Sequence, residues 1–268
     1  MLVVTHSETR RRRLGLTLIE LVVVLSVLAA VAAILVPLIP NLLRRSHKVT
    51  DATQTAEVSK AVLTYQGLYQ SYPDEWDLMT DGTSTTAPSF IPADGGTPFG
   101  GAAYIGNLTT DEVAALRRVG ISNVHAFSTT PAHPTLNPYA ALVTAPTALS
   151  NSLPVFIIDS SITGGVPVEI QNILARDNTA RFVVFGLGSR CTAVSRVMQN
   201  APTSVPQNAE FTPSTLYSRV GTIFQVAGTG INTTERARFI GAVALEDDEL
   251  ESAEKDLVNY YDISASGE

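Results

Sequence analysis

The chain of 268 residues has one cysteine, Cys191, so no disulfide can close within it. Only 16% of its residues are charged, and solubility must rest on Thr, Ser, Gly and turn-forming residues more than on ion pairs. Positive charge is also short: the net charge is −7, and an acidic surface repels polyanions, which argues against nucleic acid as a partner. Catalytic patterns are missing too. His125 and His133 lie eight apart without a metal-ligand spacing, which predicts a surface or loop role for them. Gly186-Leu187-Gly188 follows a strand-like run, but Cys191 stands where a dinucleotide fingerprint needs glycine, so it reads as a strand end and turn. Ser189 lacks the flanking glycines of a nucleophile elbow. There is no internal repeat, and no enzyme is expected.

What the chain does have is a long apolar run. From Leu21 to Leu43 the only polar side chains are Ser26 and Asn41, which suffices for a bilayer crossing of roughly 20 residues. Arg10, Arg11, Arg12 and Arg13 precede the run, and Glu20 is the single charge between Leu16 and Leu43. An ionisable group in lipid costs about 2.5–3.5 kcal/mol at a helix centre and normally has a partner and a job. An ordinary secretory signal has an apolar core of about 7–15 residues, shorter than this one. A plain single-span anchor explains the apolarity and the arginines but leaves Glu20 and the Gly15 junction as coincidences. The positive-inside rule places the arginines in the cytoplasm, against Arg44, Arg45 and Lys48 on the far side.

The string Gly15-Leu16-Thr17-Leu18-Ile19-Glu20, between the arginines and the apolar run, resembles the prepilin class shared by type IV pilins and type II secretion pseudopilins. The resemblance covers about residues 10–72. It implies cleavage by a prepilin peptidase between Gly15 and Leu16, followed by N-methylation of Leu16. It also implies that Glu20 pairs with the terminal ammonium of a neighbouring subunit during filament assembly. Leu16 departs from the phenylalanine commonest after the cut, while Pro37 stands where many members carry a proline. Loss of residues 1–15, with four arginines and Glu8, would take the chain from −7 to −10.

The resemblance implies a pilin-like α+β fold. A cytoplasmic leader would occupy 1–15, the transmembrane half of one long helix 16–43, its amphipathic half 44–70, and a globular head 71–268. Between Arg44 and Tyr72 there is no proline and only Gly67, and Val58, Val62, Tyr65 and Tyr69 recur at helical spacing, so the helix is predicted to continue past the membrane with one face on the head. Pro37 and Pro40 lack amide hydrogens and predict a bend or loosening. Ser71-Tyr72-Pro73-Asp74 ends the helix, at a tyrosine-proline junction like that of many pseudopilins.

The head is expected to mix α with an antiparallel β-sheet. Thr109 and Glu112 form a capping-box pattern for a helix closed by Gly120, and Pro167 starts a second through Ile170, Ile173 and Leu174. Strand candidates are Val124–Phe127, Val155–Asp159, Arg181–Leu187, Thr222–Ala227 and Phe239–Leu245. Leu250, Ala253, Leu257 and Tyr260 have helical spacing, which predicts a final amphipathic helix or a frayed acidic end.

No cofactor is expected. Calcium is the one candidate, because some pseudopilin heads bind it near the carboxyl end, and Asp247, Asp248 and Glu249 are the residues that would hold it. Without the glycine turn of a calcium loop, the acidic stretch from Glu246 to Glu251 reads more simply as a solvated face. Asn107-Leu108-Thr109 and Asn232-Thr233-Thr234 match a glycosylation sequon short enough to arise by chance. Arg176, Arg181, Arg190 and Arg196 are candidates for a local basic patch.

By resemblance, the partners are other pilin or pseudopilin subunits, the prepilin peptidase and methyltransferase, and an inner-membrane assembly platform. The leader would face the cytoplasm of a bacterium and the head the periplasm or the exterior. The lack of a disulfide and the Tyr72-Pro73 junction favour a secretion pseudopilin. The alternative is a membrane-tethered or minor-pilin binding module whose head recognises an exported substrate or surface ligand.

Overall fold

The computed structural model describes residues 17–36, 39–128, 145–203, 216–229, 236–246, 249–255 and 258. The chain forms two compact units, residues 1–43 and 44–268, considered separately below. The leader, with Gly15 and Leu16, lies outside the described residues, as do Pro37, Asp247, Asp248, His133 and the 232–234 sequon.

In the first unit, helix α1 spans Leu18–Leu35. Thr17 caps it, and no residue of the helix is buried. Its 18 residues rise about 27 Å, close to the roughly 30 Å hydrocarbon core of a bilayer. Among the described residues it is the one helix long and apolar enough to cross a membrane. Ser26 donates its hydroxyl to the Val22 carbonyl at 2.8 Å, so its polar group is satisfied within the helix.

Helix α2 spans Ile39–Tyr69. Pro40 falls in its first turn, where a missing amide hydrogen breaks no helical bond. The predicted single helix from 16 to 70 is therefore described as α1 and α2, with positions 37 and 38 between them outside the described residues. In the second unit, the buried face of α2 carries Lys48, Asp51, Ala52, Thr55, Val58, Val62 and Tyr65. The expected apolar stripe is thus the upper half of a longer one whose lower half is polar. Tyr69 departs from the expectation, being 47% exposed.

The chain leaves α2 through Gln70 in the left-handed region, φ 56°. The tyrosine-proline junction is then stitched into the head. The Tyr72 amide donates to the Val119 carbonyl at 2.7 Å, the Trp76 indole to the Pro73 carbonyl at 2.6 Å, and the Asp74 carboxylate accepts from the amides of Ser122 and Asn123 at 2.7 and 2.8 Å. Gly120 closes the neighbouring helix at φ 97°, and a Cβ there would lie 2.8 Å from the Ser71 side chain, so the position admits only glycine.

The head is α+β. Among the described residues, eleven short strands run β1 (Trp76–Asp77), β2 (Ala93–Asp94), β3 (Thr97–Pro98), β4 (Tyr104–Asn107), β5 (Asn123–His125), β6 (Thr147–Ala148), β7 (Pro154–Ile158), β8 (Arg181–Gly186), β9 (Gly221–Ala227), β10 (Arg238–Leu245) and β11 (Leu250–Ser252). The main sheet has the order β11-β10-β9-β8-β1-β5-β6, and β7 joins β8 to β4. It is antiparallel except where β1 runs parallel to β5, pairing Trp76 with Val124. Helix α3 (Thr110–Arg117) carries the reciprocal Thr109–Glu112 capping box, and α4 (Val168–Arg176) begins directly after Pro167.

Both faces of the sheet are covered. On β8, Val183 and Phe185 join a core with Val58, Val62, Trp76, Leu116 and Phe224. Phe182 and Val184 face the opposite core, with Met79, Phe99, Phe156, Ile170 and Tyr217. A strand buried on two sides has no polar face to alternate with, which is why Phe-Val-Val-Phe is continuous. Leu250–Ser252 forms strand β11, because Leu250 and Glu251 pair with Leu245 and Ala244, and the predicted terminal helix appears only after it, at residues 253–255 and 258.

Three side chains of α2 and the turn after it meet the rim of the sheet. The Tyr72 hydroxyl accepts from the Phe239 amide at 3.2 Å, the Ser59 hydroxyl accepts from the Ala242 amide at 3.1 Å, and the Lys48 ammonium binds Glu246 at 3.1 Å and also Glu251. Polar groups of a strand that would otherwise stay unsatisfied are thereby met by a helix.

Candidate functional site

Of the residues singled out for processing and assembly, Glu20 is among the described residues, in the first turn of α1. Thr17 and Glu20 cap that helix reciprocally. The Thr17 amide and hydroxyl both donate to Glu20 Oε2 at 2.8 Å, and the Glu20 amide donates to Thr17 Oγ1 at 3.3 Å. A carboxylate in the first turn also sits favourably in the helix dipole. Glu20 is exposed, and with Ile19, Val23 and Val24 it lines a shallow apolar concavity on one helix face.

Two polar centres in the head were not visible in the sequence. At the foot of the buried face of α2, Lys48 contacts the carboxylates of Glu246 and Glu251, and Glu251 is fully buried. Burial and the neighbouring Glu251 charge push the Glu246 carboxyl up to about 7, with Lys48 opposing. The reading of this stretch as a solvated acidic face is therefore corrected at Glu246 and Glu251: β11 turns Glu251 inward, where an ammonium from α2 meets it.

The second centre is in mid-sheet. Asp77 on β1 accepts a 2.5 Å hydrogen bond from the Tyr217 hydroxyl, and its other oxygen, Oδ1, has no hydrogen-bond partner among the described residues. Burial raises its carboxyl to about 6, opposed by the Tyr217 bond and by the charges of Arg219, His125 and Arg190. Gly186 and Gly188 make room for it. A Cβ on Gly186 would overlap the Tyr217 hydroxyl, and one on Gly188 would overlap the Asp77 carboxylate. The strand end and turn read at Gly186-Leu187-Gly188 thus also clears space for two buried polar side chains.

His125 is corrected as well. It lies buried on β5, with Nε2 3.2 Å from Glu75 Oε2, and does not occupy a surface or loop position. Cys191 is a buried free thiol whose ionisation burial suppresses. The arginine candidates serve separate partners: Arg181 binds Glu112 at 2.6 and 2.8 Å, and Arg196 lies over the rings of Tyr65 and Tyr69 at 5.9 and 5.4 Å. Glu249, the described member of the calcium candidates, contacts the Lys255 ammonium. Among the described residues no group of three or more His, Cys, Asp or Glu is arranged to hold a metal ion.

No curated protein and no solved structure matches the chain. A family model does match at the amino-terminal end. Residues 10–36 match the prokaryotic N-terminal methylation motif, and that motif, followed by the apolar helix α1, fits a type IV prepilin-like protein.

Proposed function

We propose that this protein is a structural subunit of a type IV pilus-like filament, specifically a type II secretion pseudopilin, with no catalytic role. Prepilin peptidase would cut between Gly15 and Leu16 and methylate the new terminus. Residues 16–43 would anchor the subunit, and 44–70 would carry the head of residues 71–268 outside the membrane. The observation that carries the reading is the methylation motif over residues 10–36 joined to an apolar helix with Glu20 in its first turn.

In the free subunit Glu20 caps its own helix through Thr17. In a filament the same carboxylate would accept the methylated ammonium of a neighbouring Leu16, an exchange of hydrogen bond for ion pair that gains strength in lipid. Glu20→Ala should leave processing and membrane insertion intact. Its incorporation into filaments, measured by cysteine crosslinking between adjacent subunits, should fall at least about tenfold, the loss of roughly 1.4 kcal/mol per contact. Wild-type incorporation of that variant would remove the pairing role.

A further inference from the structure

The chain has three lysines, and of these the fold buries only Lys48. It reaches from α2 to the β10–β11 hairpin, where its Nζ contacts Glu251 and lies 3.1 Å from Glu246 Oε1. Glu251 is fully buried, and Glu246 is hydrogen-bonded to it. A hydrogen bond between two carboxyl groups needs a proton on one of them, and the raised Glu246 carboxyl is the group that holds it. The three side chains also sit on a fixed frame. Glu251 pairs with Ala244 across the hairpin, the Leu250 amide donates to the Gly165 carbonyl at 2.7 Å, and the Glu246 amide donates to the Glu249 carbonyl at 3.1 Å. On α2, Ser59 fastens the helix to the Ala242 amide of β10 at 3.1 Å.

We propose that Lys48 and Glu251 close into an intramolecular amide, Nζ to Cδ, with Glu246 carrying the protons. The Lys48 ammonium first passes a proton to the Glu251 carboxylate it touches, which burial favours because two charged groups become neutral. The amine lone pair then attacks Glu251 Cδ while Glu246 protonates the carbonyl oxygen, and Glu246 takes a proton back from the nitrogen. One C–O bond breaks as Glu246 protonates the leaving hydroxyl, and the remaining hydroxyl returns its proton to Glu246. The products are an amide and one water, Glu246 ends as it began, and nothing is oxidised or reduced. The ion pair is the state before closure. In water, hydration makes separate ions the stable form. Here the ions bear a desolvation penalty, whereas the amide is neutral and its water leaves to solvent. The frame supplies the effective concentration, and a carboxyl titrating near neutrality is a suitable proton carrier. Lys255 and Glu249 are the contrast: the same two groups in contact, but with the Lys255 side chain 39% exposed, where hydration keeps both charged. The single cysteine allows no internal disulfide, and the amide would tie α2 to β11 in its place. The proposal goes beyond the filament reading and survives its failure, because all three residues lie within residues 44–268 and outside the methylation motif.

The test is peptide mapping of the full chain purified in detergent micelles, denatured to separate any ion pair and digested with trypsin. Closure blocks cleavage after Lys48 and joins residues 46–60 to residues 239–255 in one branched product, lighter by one water than the two together. Fragmentation should place the branch on Glu251. Lys48→Arg keeps a cation and should give no joined product. Glu246→Gln, timed in freshly synthesised protein and checked for cooperative melting, should close at least about a hundredfold more slowly. The wild-type result decides alone if that variant fails to fold. Cleavage after Lys48 in cooperatively folded wild type, a branch on any acidic residue other than Glu251, or closure of folded Glu246→Gln at the wild-type rate would each overturn the proposal.

Discussion

Buried carboxyls decide how the head responds to pH. Asp77 has an ordinary value of 3.8 and is raised to about 6 in the fold, so between those values the folded chain holds more protons than the unfolded one. Its contribution is fully present below about 3.8 and is lost as pH rises through about 6, at most roughly 3 kcal/mol. Asp77→Asn keeps an acceptor for the Tyr217 hydroxyl without burying a charge. It should flatten the fall in stability between pH 4 and 6 and raise the melting temperature at pH 8 relative to wild type. An unchanged pH profile in thermal melts would show that Asp77 does not titrate in that window. None of this was legible beforehand, since Trp76-Asp77 carries no periodicity and an inward aspartate looks like an outward one. The available signal was the pair Gly186 and Gly188, whose missing side chains leave the space that Tyr217 and Asp77 fill.

Among elements, α2 matters most, because the face it buries from Lys48 to Tyr65 is part of the head's core. Its apolar positions Val58, Val62 and Tyr65 could be read from spacing alone. Lys48, Asp51 and Thr55, on the same buried face, could not, because polar residues break a hydrophobic pattern even when they face inward. Lys48 is the point to break. Lys48→Met removes the ammonium between Glu246 and Glu251, leaving buried carboxylates without it, and should cost about 3–5 kcal/mol. Glu246, raised from 4.5 to about 7, adds stability that is lost as pH rises through 7, so the variant should be weakest at alkaline pH. Thermal unfolding in micelles at pH 5 and pH 8 measures this, and a loss below about 1 kcal/mol at both would show the contact to be a minor one. The four longest strands, β7 to β10, were legible within a residue, and the short β5 within two, because their β-branched and aromatic runs are buried. β1 and β4 were not, because two to four residues hold no periodicity. Leu250–Ser252 was misread because the helical spacing of Leu250 and Ala253 says nothing about the pairing with β10 that holds it extended.

At the scale of the whole molecule, the chain joins a unit recognised by its amino-terminal motif to an α+β head. The amino-terminal unit was legible because its signal is local: a glycine junction, a carboxylate five residues on, and an unbroken apolar run. The head was legible as separate elements but not as an assembly, because both polar centres join residues far apart in the chain, such as Lys48 with Glu251 and Asp77 with Tyr217. The central claim is that the chain is processed and then assembled through α1. Mass spectrometry of the amino terminus, on protein purified from its native membrane, tests it most directly. The account predicts a chain beginning at N-methylated Leu16. A chain that keeps Met1 and Arg10 to Arg13 would contradict it and reduce α1 to a simple anchor.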